Sequence, residues 1–108
     1  MLDIYYIEGE ALEIPETPDE KMYIKSIDIK QHQSLAKIFK KCEEIGITFS
    51  YFDDTLINPK NTINMLDVCK KNIQLIGNNR LGQESYKLLE IILLSAIDKN
   101  YGIVAYCD

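Results

Sequence analysis

The sequence has few of the residues on which metal and redox sites are built. It contains one histidine, His32, and three widely spaced cysteines, Cys42, Cys69 and Cys107. No C-x-x-C pair occurs, and no group of histidine, cysteine and aspartate has the spacing of a metal site. An odd number of cysteines argues against a complete disulfide framework, and two of the three fall on apolar helix positions. We therefore expect no metal or other cofactor and predict buried structural thiols.

The motifs of common catalytic and nucleic-acid-binding sites are also missing. No serine lies in a nucleophile elbow, and no glycine-rich loop is available to hold a phosphate. The lysines scatter over predicted helix faces and form no basic stripe. These absences favour a protein that is not an enzyme and does not bind nucleic acid.

No long uncharged apolar run is present, so we expect no transmembrane helix and no membrane partner. The first residues, MLDIYYIE, are acidic and lack the basic stretch of a secretory signal, which favours a cytoplasmic protein. With 108 residues, 46% hydrophobic and 27% charged, the chain is typical of one globular domain covering residues 1–108.

Charge is distributed unevenly along the chain, whose formal net charge is -5. Residues 1–20 contain seven carboxylates and no lysine or arginine, whereas the remaining residues contain 12 basic and 10 acidic side chains. A concentration of negative charge at one end of a chain repels phosphates and attracts a basic partner.

The hydrophobic pattern predicts an α+β (α/β layered) domain of four strands and three helices in the order β-β-α-β-α-α-β. The predicted strands cover residues 2–8, 22–27, 47–52 and 103–107. Residues 10–20 include two prolines, which cannot donate to a strand ladder, and so predict an extended acidic loop. The last strand is almost continuously apolar, which predicts a central place in the sheet.

Helix starts have clear local signals. Asp28 and Gln31 have the spacing of a capping box, and Asn58-Pro59 combines a capping residue with a proline at the first helical position. The third predicted helix begins near Gln83. His32 falls in the first turn of the first helix, where we expect an exposed side chain.

The stretch YFDDTLIN at residues 51–58 places two adjacent carboxylates after a predicted strand. It resembles the strand-end motif of the haloacid-dehalogenase phosphatases, in which two aspartates stand two positions apart and reach one phosphate. Asp53 and Asp54 are adjacent and so point apart, and the glycine of that motif is missing. Two interpretations remain open: a solvated turn, or an acidic contact point to which Tyr51 and Phe52 add aromatic area.

The chain as a whole resembles the immunity proteins of bacterial contact-dependent growth inhibition systems. The resemblance rests on the opening MLDIYYIEGE, the junction SYFDDTLINPKNT and the closing YGIVAYCD. It implies a cytoplasmic inhibitor that binds the C-terminal toxin domain of a cognate effector as a 1:1 heterodimer and occludes its active site. Such toxins commonly cleave tRNA or DNA, and nucleases are commonly basic because their substrate is a polyanion. Carboxylates on the inhibitor would imitate that substrate and speed the encounter.

Charge and aromatic placement alone select the predicted toxin contacts, which are Glu8, Glu10, Glu13, Glu16, Tyr51, Asp53 and Asp54. Any of the seven tyrosines that is exposed near the acidic segment, residues 1–20, is a further candidate. Two other functions remain open. One is a non-catalytic adaptor or regulatory domain that binds a basic protein or small ligand, and the other is a small hydrolase that uses Asp53 or Asp54.

Overall fold

The computed structural model describes residues 1–9 and 11–108. Within these ranges the chain forms four strands, β1 (Leu2–Ile7), β2 (Tyr23–Ile27), β3 (Thr55–Ile57) and β4 (Gly102–Cys107). It also forms four α-helices, α1 (Ile29–Ser34), α2 (Ala36–Glu43), α3 (Pro59–Lys71) and α4 (Arg80–Lys99). Short 3₁₀ turns lie at Glu20–Met22 and Ile73–Ile76. The predicted α+β class and single domain architecture are thus confirmed.

The strands form one antiparallel sheet in the order β2-β1-β4-β3. Leu2 of β1 lies opposite Cys107 of β4, and Ile7 lies opposite Gly102. The apolar β4 is therefore central, as predicted. Gly102 also permits the pairing with β3, because a Cβ atom at this position would collide with the Ile57 carbonyl oxygen.

The helices cover one face of the sheet. Leu2 and Ile4 of β1, with Ile103 and Ala105 of β4, belong to the same buried cluster as the inward faces of the helices. The fully buried residues of the helix layer include Leu35, between α1 and α2, with Ile38, Met65, Leu89, Ile92 and Leu93. Removal of this apolar area from water is the main term that favours the fold.

The local helix signals act as predicted. Asp28 and Gln31 form a reciprocal capping box with distances of 2.8 and 2.9 Å. Asn58 caps the start of α3, where its side chain accepts a hydrogen bond from the backbone amide of Asn61. The first predicted helix, however, is divided at Leu35 into α1 and α2. The Ser34 hydroxyl donates to the Gln31 carbonyl at 2.6 Å, a contact that competes with regular helical bonding.

The strand predicted at residues 47–52 is wrong, since the third strand lies at β3. Ile47 and Phe49 are buried, as their alternation predicted, but these residues have no strand partner within the described chain. The Phe49 carbonyl instead lies 2.7 Å from His32 Nε2. The His32 side chain therefore donates to a backbone carbonyl that would otherwise need a hydrogen bond from a neighbouring strand.

His32 is consequently half-buried rather than exposed, which corrects the sequence-based expectation. Its ring lies against those of Phe39, Phe49 and Tyr51, at centroid distances of 4.5, 6.0 and 5.7 Å. The contacts come from α2 and from the segment before β3, so they depend on tertiary packing.

Cys42 and Cys69 are free and buried, as predicted. Burial raises the pKa of Cys42 to about 11 and that of Cys69 to about 12, which keeps both thiols protonated. Cys107 is half-buried at the end of β4, with its Sγ atom 3.4 Å from the Phe52 carbonyl. Among the described residues, no helix is both long and apolar enough to cross a bilayer.

Candidate functional site

The sheet face that the helices leave open carries a row of tyrosines. Tyr23, Tyr5 and Tyr106 come from the adjacent strands β2, β1 and β4, and we call them the tyrosine row. The ring of Tyr5 lies 5.4 Å from that of Tyr23 and 5.6 Å from that of Tyr106, and both contacts are edge-on. Strand alternation places Tyr5 on the face opposite Ile4 and the helices.

Residues 11–19, which we call the acidic loop, cover part of this face. Ala11 and Ile14 pack against a small buried cluster formed by Tyr5, Ile7 and Val104. The Tyr106 hydroxyl donates to the Pro15 carbonyl at 2.9 Å. The loop has no regular secondary structure in its described residues, as the sequence predicted, and these contacts fix it against the sheet.

Hydrogen bonds order the carboxylate of Asp3 and connect it to the tyrosine row. Ser26 donates to Asp3 Oδ1 at 2.5 Å, and the Tyr23 hydroxyl lies 2.6 Å from Ser26 Oγ. Because the serine hydrogen is committed to Asp3, the Tyr23 hydroxyl is the donor to Ser26. Asp3, Ser26 and Tyr23 thus form a short chain across β1 and β2.

The electrostatic field at the row is negative. Burial is the largest cause that raises the pKa of Tyr5, and the charges of Glu20 and Asp3 raise it further. Burial likewise raises the pKa of Tyr106, followed by the charge of Asp54. Both tyrosines therefore remain neutral hydroxyl groups beside carboxylates at neutral pH.

A cavity of about 140 Å³ lies between the acidic loop and the sheet. Its lining includes Tyr5, Glu8, Pro15, Asp19, Met22, Val104 and Tyr106. A single water molecule needs roughly 10–15 Å³ by a comparable measure, so the cavity has room for the end of a side chain. It combines apolar walls with polar groups at its edge, which is the usual composition of a binding recess.

Several predicted contact residues lie around Tyr106. Glu8 is exposed at the end of β1 and contributes to the cavity. Glu16 is exposed and follows Pro15, the hydrogen-bond partner of Tyr106. Asp54 lies close enough to influence the pKa of Tyr106, and its Oδ1 accepts from the Cys107 amide at 2.9 Å.

The remaining predicted contacts are more scattered. Asp53 and Glu13 are exposed. Tyr51 is half-buried and packs with the helix-side core against His32, away from the tyrosine row. Glu10 lies outside the described residues. The structure thus brings Glu8, Glu16 and Asp54 near one tyrosine and leaves Tyr51 on the other side of the sheet.

The sequence alone does not identify the tyrosine row, Asp3 or Glu20 as candidate contacts. One signal was available, since Asp3, Tyr5 and Ile7 alternate with Leu2 and Ile4 and so share a face. The neighbours of Tyr5 on β2 and β4 depend on strand register, for which the sequence has no local signal.

Within the part of the chain that the structure describes, no three histidine, cysteine, aspartate or glutamate side chains are grouped to hold a metal ion. Comparisons of the chain with protein-family models, curated proteins and solved structures give no match. The candidate site is therefore described from its residues alone. It is an acidic, tyrosine-rich sheet face that the acidic loop partly covers.

Proposed function

We propose that the protein is a cytoplasmic immunity protein that binds the toxin domain of a cognate bacterial effector. The observation that carries this proposal is that the most acidic segment flanks the tyrosine row. Residues 1–20 contain seven carboxylates and no basic side chain, and they supply both β1 and the acidic loop. Tyrosine is enriched at the centres of protein interfaces, and complementary charge at the edges speeds association.

The favoured partner is a basic nuclease domain. A nuclease holds a polyanion, so its active-site cleft carries positive charge that a carboxylate surface can occupy in place of the substrate. Binding there as a 1:1 complex would exclude RNA or DNA from the active site. The tyrosines would provide rigid contact area at low cost in side-chain entropy.

The predicted contacts Glu8, Glu13, Glu16, Asp53 and Asp54 are exposed, which supports a place at the rim of such an interface. Glu10 remains a predicted contact from charge alone. Tyr51 would contact the toxin only in an interface that continues past β3 onto the helix side.

The test is co-expression with the C-terminal domain of the gene product encoded immediately upstream. We expect that domain to stop growth when expressed alone, and this protein to restore growth and to co-purify with it. A toxic domain that forms no complex and is not neutralised would contradict the proposal. A complex that leaves the partner's activity intact would favour the adaptor function instead.

A further inference from the structure

Tyr5 stands out within the tyrosine row because its ring is enclosed while its hydroxyl has no partner. The side chain is only 6% exposed. The hydroxyls of Tyr23 and Tyr106 are hydrogen-bonded to Ser26 and Pro15, whereas that of Tyr5 has no hydrogen-bond partner among the described residues. Within the same residues, Ser85 Oγ is the one side-chain polar atom that is both fully enclosed and unpaired, so solvent reaches the Tyr5 hydroxyl.

Two carboxylates lie near Tyr5 and make no ion pair within the described chain. Asp3 shares a face of β1 with Tyr5, and Glu20 belongs to the 3₁₀ turn that contacts β1 and whose Met22 packs against the Tyr5 cluster. The charges of both disfavour ionisation of Tyr5 and raise its pKa, after the larger effect of burial. The ion pairs found among the described residues all lie on helices or directly after α2, between Lys41 and Glu44, Asp67 and Lys71, and Arg80 and Glu84. None of these pairs involves Asp3 or Glu20.

We propose that Tyr5, Asp3 and Glu20, between the rings of Tyr23 and Tyr106, form a recess that binds an arginine side chain of the partner protein. The inference rests on the proposed function, because a basic toxin domain would present that arginine. The guanidinium would donate hydrogen bonds to the Tyr5 hydroxyl oxygen and to the two carboxylates. Its planar face would lie against a tyrosine ring, a contact that a lysine ammonium makes less well.

The position of the recess is suited to a contact that contributes much of the binding affinity. Tyr5 lies on a central strand and its ring is largely enclosed, so a partner side chain that covers its hydroxyl would be largely removed from water. That is the setting in which a single side chain contributes most to affinity. The cavity of about 140 Å³ that Tyr5 and Tyr106 help to line lies under the acidic loop. The exposed carboxylates farther out would steer the partner, whereas the recess would hold it.

The recess can be tested without knowledge of the toxin by nuclear magnetic resonance titration of the full chain. The probes are the amides of N-acetyl-arginine, N-acetyl-lysine and N-acetyl-citrulline, of which citrulline has the shape of arginine without its charge. We expect saturable shifts of Tyr5, Tyr23 and Tyr106 resonances with arginine, weaker binding of lysine and no saturable response to citrulline.

Two single substitutions locate the effect. Tyr5→Phe keeps the ring and removes the unpaired hydroxyl, and Glu20→Gln removes one charge at almost constant volume. Each should weaken arginine binding roughly tenfold, the effect of losing one hydrogen bond to a charged group. The matched controls are Tyr101→Phe, near Tyr6 rather than the row, and Glu43→Gln, on the exposed side of α2. Both should bind arginine as the unchanged protein does.

Equal responses to arginine and citrulline, equal affinity for arginine and lysine, or unchanged binding by both recess variants would overturn the inference. The two proposals also fail separately. If Tyr5→Phe with Glu20→Gln still binds and neutralises the toxin with unchanged affinity, the recess is wrong and the immunity function stands. If arginine binds the recess but the protein protects against no upstream toxin domain, the immunity function is wrong.

Discussion

At the scale of single residues, His32 shows how packing shifts the pKa of a side chain. Its Nε2 lies 2.7 Å from the Phe49 carbonyl oxygen, which can only accept, so Nε2 carries a hydrogen. Burial lowers the pKa of His32, and the bond to Phe49 offsets part of that effect. The neutral ring is therefore favoured in the folded protein, where it holds the segment before β3 against α2.

This environment makes stability dependent on pH. The pKa of His32 is lower in the folded protein than the ordinary value of 6.5 expected in the unfolded chain. As the pH falls through that value, the unfolded state takes up the proton first, so the free energy of unfolding decreases. We expect urea denaturation between about pH 7.5 and 5.5 to show a smaller decrease for His32→Gln, whose amide can still donate but does not titrate.

Identical pH dependence in the two proteins would contradict this account of His32. The His32→Ala variant provides a second check, because it leaves the Phe49 carbonyl without its donor. We expect that variant to lose about 1–3 kcal/mol of stability at neutral pH.

Residue roles could be predicted where the partner is near in sequence. The capping box of Asp28 and Gln31 and the cap at Asn58 join residues three positions apart, so a short pattern is enough to identify them. His32 and Phe49 are 17 positions apart, and Tyr5 meets Tyr106 only through strand pairing. Such contacts have no local signal, which is why His32 was placed wrongly and Tyr5 was missed.

At the scale of elements, the main difference concerns the third strand. Residues 47–52 alternate as a strand does, but alternation reports which side chains are buried and does not reveal whether a partner strand is present. Pairing with β4 begins at Thr55, opposite Ala105. Asp54 lies just before it, and its side chain accepts from the Cys107 amide, so a carboxylate continues the contact where the backbone ladder stops.

This contact determines how the acidic pair should be tested. In Asp53→Asn with Asp54→Asn, the asparagine oxygen at position 54 can still accept from Cys107, so the fold should be retained. If the protein has the proposed immunity function, we expect toxin binding to weaken by about 3- to 10-fold, because the variant loses two charges that we place at the rim of the interface. Calorimetric titration against the toxin domain would measure the change, with Asp98→Asn on α4 as the control.

Full affinity in the double variant would return Asp53 and Asp54 to the interpretation as a solvated turn. The Asp54→Ala variant separates charge from structure, because it also removes the acceptor of the Cys107 amide. It should cost about 0.5–1.5 kcal/mol of stability, which the double asparagine variant should not.

At the scale of the whole molecule, the layers separate charge. The sheet face opposite the helices carries the tyrosine row, Asp3 and the acidic loop. On the helix side, Lys37, Lys40 and Lys41 line a groove of about 400 Å³ together with Glu44, which pairs with Lys41. A basic partner would be attracted towards the carboxylates of the sheet face. The fold class and the acidic segment could be predicted from the sequence. Which side chains share the face opposite the helices depends on how the strands pair, for which the sequence has no local signal.

The same separation allows charge location to be tested apart from net charge. Replacing Glu10, Glu13 and Glu16 by glutamine removes three negative charges from the acidic segment. Replacing Glu43, Glu44 and Glu84 by glutamine removes three negative charges from the helix layer, so the two variants have the same net charge. If the acidic loop steers the toxin, the first variant should associate roughly tenfold more slowly at low salt, with a flatter salt dependence.

The helix-layer variant should keep nearly the original association rate in stopped-flow measurements across a range of salt concentrations. Both variants should dissociate at similar rates, because exposed charges affect the encounter more than the lifetime of a complex. Equal slowing of association would mean that net charge alone attracts the partner. In that case the orientation of the protein would have to come from contacts made after the encounter, with the tyrosine row as the first place to look.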